Sequence, residues 1–422
     1  MTEEKSTIIS ESTIRLMTRL AIQHNAVNLS QGFPNEPPPI ECIEALAKGA
    51  LGGTPEQAKA LELLYTSKAT NGYTDTLNQY SPPMGRIELR KAIADFYKRI
   101  YDYDKIDPNL DITITLGSTE AMASAFRTIG KPGDKVLIFE PFHELYPSQC
   151  KIFYLEPIYT TLRMASDGGD TTWKIDWEEF EEGMKEAVAV VLNSPHNPSG
   201  KVFTYEELSR IVDMAIKYNT FIISDEIYEF MCYNGTKHYL LLKEFPQIQS
   251  RLFLCNSLSK SCSATGWRVG WCIHPRAYTN DYRGVHDQLV VMSPHPMQYA
   301  AETYFLNLNQ DFFQKELSMR YVPRLKILAT GLRKANFVVH DPDGAYYLFA
   351  MYKNVKALMS FETTMEAAMS MTKEIGVACV PGDNFYGKDI EEGRRYLRFA
   401  ACRSLGDIEE ACEKIRILDN DN

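Results

Sequence analysis

Short apolar, β-branched runs alternate with longer amphipathic stretches through the middle of the chain. Ile112 to Leu116, Lys135 to Phe139, Val188 to Leu192, Phe221 to Ser224, Leu252 to Cys255 and Val269 to Ile273 have the length of buried strands. Helical periodicity separates them, at Glu120 to Thr128 and Glu206 to Tyr218. Strands alternating with helices predict a largely parallel sheet covered on both faces. From about Asn309 to Ala335, Leu317, Tyr321, Leu325 and Leu328 recur at helical spacing in a charged background, which predicts a long connecting helix. Tyr346 to Met351, Gly376 to Val380 and Tyr396 to Ala400 then read as further strands flanked by helices. The expected fold class is α/β, with two interleaved parts. Residues 55–308 form a large domain around the mostly parallel sheet, and residues 1–54 with 309–422 form a smaller α+β domain.

Length agrees with this division, since 422 residues exceed what one hydrophobic core usually organises. No repeat, Gly/Ser linker or charged linker divides the chain. With 45 basic and 55 acidic residues the formal charge is −10, which argues against binding a nucleic-acid backbone. The longest apolar runs, such as Ala187 to Leu192, fall far short of the ~18 residues that span a bilayer, so no membrane partner is expected. The acidic segment MTEEKSTIISES has no apolar centre and reads as the start of a cytoplasmic protein. Nine scattered cysteines without a CxxC pair suit buried thiols in a reducing compartment. Cys255, Cys262, Cys272 and His274 fit no zinc spacing, and no metal is expected.

Chemistry in parallel sheets gathers beyond the carboxyl ends of the strands, and four such junctions are unusually polar. Gly117-Ser118-Thr119 opens a helix after the first strand, where free N–H groups and hydroxyls suit a phosphate; a helix cap explains the same residues equally well. Asn193-Ser194-Pro195-His196-Asn197-Pro198 follows the third run, and a turn accounts for its prolines but not for two amides beside a core strand. Asp225-Glu226-Ile227-Tyr228 places a carboxylate at the end of an apolar strand. Ser257-Leu258-Ser259-Lys260, followed by Gly266-Trp267-Arg268, gathers two hydroxyls, a lysine and an arginine at one strand end. A lysine made neutral by burial is a Schiff-base nucleophile, and Arg268 with Ser257 and Ser259 can complete a phosphate cradle. This is the inventory that pyridoxal phosphate requires.

With these junctions, the motifs Asn28-Leu29-Ser30-Gln31-Gly32-Phe33-Pro34, Asn78-Gln79-Tyr80-Ser81-Pro82-Pro83-Met84-Gly85 and Tyr396-Leu397-Arg398-Phe399 complete an ordered set across nearly the whole chain. The sequence resembles the fold type I, class I and II pyridoxal phosphate aminotransferases. It is most similar to the branch of kynurenine aminotransferase, glutamine transaminase K and methionine aminotransferase. The resemblance implies that Lys260 holds the cofactor as a Schiff base and that Asp225 pairs with its ring nitrogen. It further implies that Tyr228 and Asn197 hold the ring hydroxyl, and that Ser118, Thr119, Ser257, Ser259 and Arg268 bind the phosphate. Tyr80 would reach that phosphate from the other subunit of a homodimer, and Arg398 would grip the substrate carboxylate with help from Asn197 and the Gly32 backbone. The implied activity is transfer of an amino group from an L-amino acid to a 2-oxo acid by a ping-pong route.

The chain departs from the family pattern in places. Where relatives stack an aromatic ring on the cofactor, Glu140-Pro141-Phe142-His143 offers His143, with Phe142 adjacent. Extra polar sequence from Lys68 to Leu77 suggests an enlarged loop at the site's mouth. Ile14, and Val291 with Met292 beyond Val285-His286, stand at expected pocket positions and predict a less aromatic pocket. Two other activities merit weighing. A cysteine-conjugate or cystathionine-type β-lyase would use the same cofactor. Ser257-Leu258-Ser259-Lys260 also matches the SxxK motif of penicillin-recognising hydrolases, but the Ser-Asp-Asn and Lys-Thr-Gly partners are missing.

Overall fold

The computed structural model describes residues 11–50, 79–167 and 170–419. The expected loop from Lys68 to Leu77 lies outside them. After a two-residue strand β1 (Val27–Asn28), eight strands form one sheet: β2 (Ile112–Thr115), β3 (Lys135–Glu140), β4 (Glu156–Asp167), β5 (Asp170–Ile175), β6 (Ala187–Asn193), β7 (Phe221–Asp225), β8 (Leu252–Ser257) and β9 (Gly270–Ile273). Their order is β2-β9-β8-β7-β6-β3-β4-β5. The run from β8 through β7, β6 and β3 to β4 is parallel, whereas β9 runs against both β8 and β2, and β5 folds back on β4.

Alternation along the parallel strands explains why both faces are covered. Leu137, Val190, Leu192, Ile222 and Leu254 point into one apolar cluster. Val136, Ile138, Val191, Ile223 and Phe253 point into the other. Each such side chain contributes ~2 kcal/mol by leaving water, so a register slip of one residue would forfeit both layers. Helices close the faces, and their starts are written in the sequence. Thr204 and Glu207 form a reciprocal cap on the helix Tyr205–Lys217, and Asp176 accepts from Glu179 N at the start of Trp177–Glu186.

A second sheet of three strands comes from the C-terminal part: β10 (Tyr347–Met351), β12 (Val380–Pro381) and β13 (Tyr396–Ala400), with β13 in the middle. The expected strand Gly376 to Val380 is split at Cys379. Its first half, β11 (Val377–Ala378), pairs with β1, and its second half is β12 beside β13. The expected helix from Asn309 is also divided, into a wide turn Phe312–Glu316 and the helix Leu317–Lys334, which buries Leu317, Tyr321, Leu325 and Leu328 as the periodicity requires. No described helix is long and apolar enough to cross a membrane.

Candidate active site

A cleft of about 840 Å³ opens over the carboxyl ends of β6, β7 and β8. It gathers Gly32, Ser118, Thr119, His143, Asn197, Asp225, Tyr228, Ser257, Ser259, Lys260, Arg268 and Arg398, residues from seven separate segments of the sequence. Tyr80 is the exception. Its side chain is 78% exposed and does not line the cleft of its own chain.

Asp225 ends β7 and is almost fully buried. Its Oδ2 accepts a hydrogen bond from the Tyr146 hydroxyl at 2.8 Å, while Oδ1 is buried without a hydrogen-bond partner among the described residues. Burial raises its pKa to about 6, and the Tyr146 hydroxyl and nearby Ile227 amide oppose that rise without cancelling it. An orphaned carboxylate oxygen inside a protein is costly unless a ligand completes it. The two amides that a turn left unexplained now have work to do. Asn193 Nδ2 donates to Asp225 O at 2.9 Å and Asn193 Oδ1 accepts from Asn197 N at 2.8 Å, so they brace the loop after β6 against the end of β7.

Lys260 follows β8 and donates from Nζ to the Gly32 carbonyl at 2.5 Å. Burial lowers its pKa to about 8, and the guanidinium groups of Arg398 and Arg268 add to that effect. The amine is therefore available in neutral form near pH 8, as proton transfer or nucleophilic attack demands.

Arg268 adopts a left-handed backbone (φ 55°) that turns its side chain under the start of the helix Gly117–Ile129. Its Nη2 donates to Leu116 O at 3.3 Å and Nη1 to Thr265 O at 3.0 Å. Gly117 (φ +76°) is required there, because a Cβ would lie 2.4 Å from Arg268 Nη2. Ser118 and Thr119 in the first turn, with Ser257 and Ser259 across from them, complete a cationic, hydroxyl-rich corner suited to a phosphate.

Arg398, in the middle of β13, is 1% exposed. Nη1 donates to Asn197 Oδ1 at 3.1 Å and Nη2 to Ser30 O at 2.6 Å, while Nε is buried without a partner. The guanidinium carbon stands 4.5 Å from the Tyr347 ring centre and 5.0 Å from that of Phe385. Tyr347 in turn shares a hydrogen bond of 2.8 Å with the Tyr228 hydroxyl. A fixed arginine fork aimed into a cleft is the usual grip for a carboxylate.

Of the two candidates for a ring against the cofactor, Phe142 is buried and stacks on Tyr159, whereas His143 is only half-buried and lines the cleft. Burial lowers the His143 pKa to about 4, so its ring is neutral, and its Nδ1 has no partner among the described residues. Ile14 lines the outer cleft as expected. Val291 and Met292 do not line the cleft: Met292 Sδ packs 3.0 Å from Ser81 N, and Val291 is 47% exposed. The outer rim is tied together by Glu144, which accepts from Ser12 Oγ and, at 2.9 Å, from Asn384 Nδ2. No described group of histidine, cysteine and carboxylate side chains is arranged to hold a metal ion.

Tyr146 and Tyr347 are residues of the site that sequence reasoning missed, because a tyrosine among apolar neighbours on a helix or strand reads as core. Tyr146→Phe removes a donor that favours ionised Asp225, so it is expected to raise the Asp225 pKa further, by the equivalent of about 1.5 kcal/mol. Infrared difference titration of the cofactor-free protein measures this directly, and an unaltered carboxyl titration would deny Tyr146 that role.

Comparisons with known proteins identify the family. Residues 24–415 match the family model for aminotransferase class I and II. Kynurenine–oxoglutarate transaminase 3 of Rattus norvegicus is 32% identical over 343 residues, covering 79% of this chain and 70% of that one. The corresponding protein of Homo sapiens is 28% identical over 420 residues, covering 94% and 86%. Among solved structures, N-succinyldiaminopimelate aminotransferase from Mycobacterium tuberculosis superposes with a TM-score of 0.83 at 27% identity, over 97% of each chain. A methionine aminotransferase of Escherichia coli gives 0.81 at 27%, also over 97% of each chain. The family match spans nearly every element described above, and the chain therefore belongs to the class I and II aminotransferases and is a transaminase.

Proposed function

We propose that the enzyme holds pyridoxal phosphate in this cleft and moves an amino group from an L-amino acid of the kynurenine, glutamine, methionine or aromatic type to a 2-oxo acid. The observation that carries the reading is the buried, unpartnered Asp225 Oδ1 in the same cleft as a lysine whose pKa is lowered by burial. When bound, the cofactor supplies an electron sink for the pair left at the substrate α-carbon.

Asp225 Oδ1 would hold the protonated ring nitrogen, with Tyr146 fixing the carboxylate. Asn197, whose Oδ1 is engaged by Arg398, would offer its amide nitrogen to the ring hydroxyl together with Tyr228. Ser118, Thr119, Ser257, Ser259 and Arg268 would bind the phosphate, and the neutral ring of His143 would stack on the cofactor. Arg398 binds the substrate α-carboxylate, with Asn197 and the Gly32 backbone beside it. Lys260 Nζ, in its neutral form, would take the proton from the substrate α-carbon and give it back. The second half-reaction runs the same steps in reverse with the oxo acid.

Two features support the remaining parts of the reading. Tyr80 is exposed and does not line the cleft of its own chain, which suits a homodimer in which the partner subunit's Tyr80 completes the site. The kynurenine–oxoglutarate transaminases and the methionine aminotransferase named above each carry the name of a transaminase and suit a broad donor range. Titrating the purified protein with glutamine, methionine, phenylalanine and kynurenine tests the assignment by visible absorbance. The expected result is loss of the cofactor's visible band with a good donor and its return on adding an oxo acid. Pyruvate release without an acceptor from an added cysteine conjugate, whose β-carbon carries a leaving group, in place of reversible loss of the band, or no band after adding pyridoxal phosphate, would overturn it.

A further inference from the structure

His286, in the helix Thr279–Val290, is fully buried and takes no part in the steps above. Its Nδ1 lies 3.1 Å from each carboxylate oxygen of Glu120, and its Nε2 lies 2.7 Å from the Pro83 carbonyl. A carboxylate and a carbonyl only accept, so both ring nitrogens must donate and the ring is an imidazolium. Burial works against that charge, and Glu120 with the Pro83 carbonyl outweighs it, holding the pKa above the ordinary histidine value.

The two ends of this bridge matter for the cleft. Glu120 stands in the first turn of the helix that presents Ser118 and Thr119, and its Oε2 accepts from Leu116 N at 3.1 Å, fixing the turn that leads into them. Pro83 lies three residues beyond Tyr80, in a loop also held by Gln298 Nε2 to Ser81 Oγ at 3.0 Å and by Ile114 N to Met84 O at 3.0 Å. A buried carboxylate so close to a helix N-terminus repels any anion bound there. An imidazolium in contact with it cancels that repulsion.

We propose that His286 is a positioning residue for the phosphate site: it neutralises Glu120 beneath the Leu116–Thr119 turn and ties that turn to the loop carrying Tyr80. The inference rests on the reading above in one respect, that a phosphate monoester occupies this turn. A residue that merely filled space would affect ligands with and without a phosphate alike.

The test uses the full chain stripped of cofactor, with pyridoxal phosphate and phosphate-free pyridoxal as fluorescence-detected ligands. In H286Q the Glu120 charge is left uncompensated, and the affinity for pyridoxal phosphate is expected to fall about tenfold while that for pyridoxal is unchanged. In the double variant E120Q/H286Q no charge is buried, and the affinity for pyridoxal phosphate should return to within about threefold of the wild type. Equal losses for the two ligands, an unaltered affinity in H286Q, or a double variant as weak as the single one would each overturn the inference. The double variant and the wild type decide the matter if H286Q alone folds poorly. A wild type that takes up neither ligand overturns the cofactor assignment, and this inference with it.

Discussion

Lys260→Ala is expected to lower turnover by about four orders of magnitude or more, and to remove the visible band of lysine-linked pyridoxal phosphate. The fold should survive. Among the described residues Nζ makes one hydrogen bond, to the Gly32 carbonyl, and burial already disfavours its charged form. Circular dichroism and a thermal melt would separate lost chemistry from lost structure. A variant retaining full activity would remove Lys260 from the mechanism, and with it the reason for reading its lowered pKa as functional.

Asp225→Asn should be nearly as damaging, because an amide cannot hold the ring nitrogen in its protonated form. Loss of one partner of a buried ion pair costs ~3–5 kcal/mol, or about three orders of magnitude in turnover. The same variant has a second signature in the cofactor-free protein. Burial raises the folded-state pKa of Asp225 from 3.8 to about 6, so the folded chain binds a proton more tightly than the unfolded one. That contribution to stability is fully present below the ordinary value and is lost as pH rises from about 4 to 6, at ~1.4 kcal/mol per pKa unit. Denaturant melts across this window should therefore show the wild type losing more stability than Asp225→Asn. Cofactor binding should abolish the difference by supplying a positive partner. Parallel pH profiles in the two cofactor-free proteins would mean that the carboxyl group is less strained than its surroundings imply.

The fold and the polar cleft at the strand ends were legible in the sequence for a physical reason. A strand covered on both faces must be apolar throughout, so the polar residues at its end stand out against it. Asp225, Asn193 and Lys260 were found in that way, and all three lie at or just beyond the ends of β6, β7 and β8. The β4–β5 hairpin was missed because Thr160 and Thr161, though buried, break the apolar run, and Arg163 and Lys174 face each other across it. Contacts between distant segments leave no local signal at all. The Tyr146 bond to Asp225 spans 79 positions and the bond from Arg398 to Ser30 spans 368. The outer rim shows the same thing, since Ile14, Glu144 and Asn384 line one cleft from positions far apart in the sequence.

The way that rim is built bears on how such an enzyme diverges. The atoms that would move protons are anchored to the eight-stranded sheet, whereas the outer wall is borrowed from the helix Thr13–Gln23 and from the turn around Asn384. After a gene duplication, substitutions at Ile14, Arg15 or Asn384 can redraw which side chain is admitted while Lys260 and Asp225 keep their places. Selection can then explore new amino donors one rim residue at a time, without passing through a lineage of dead catalysts.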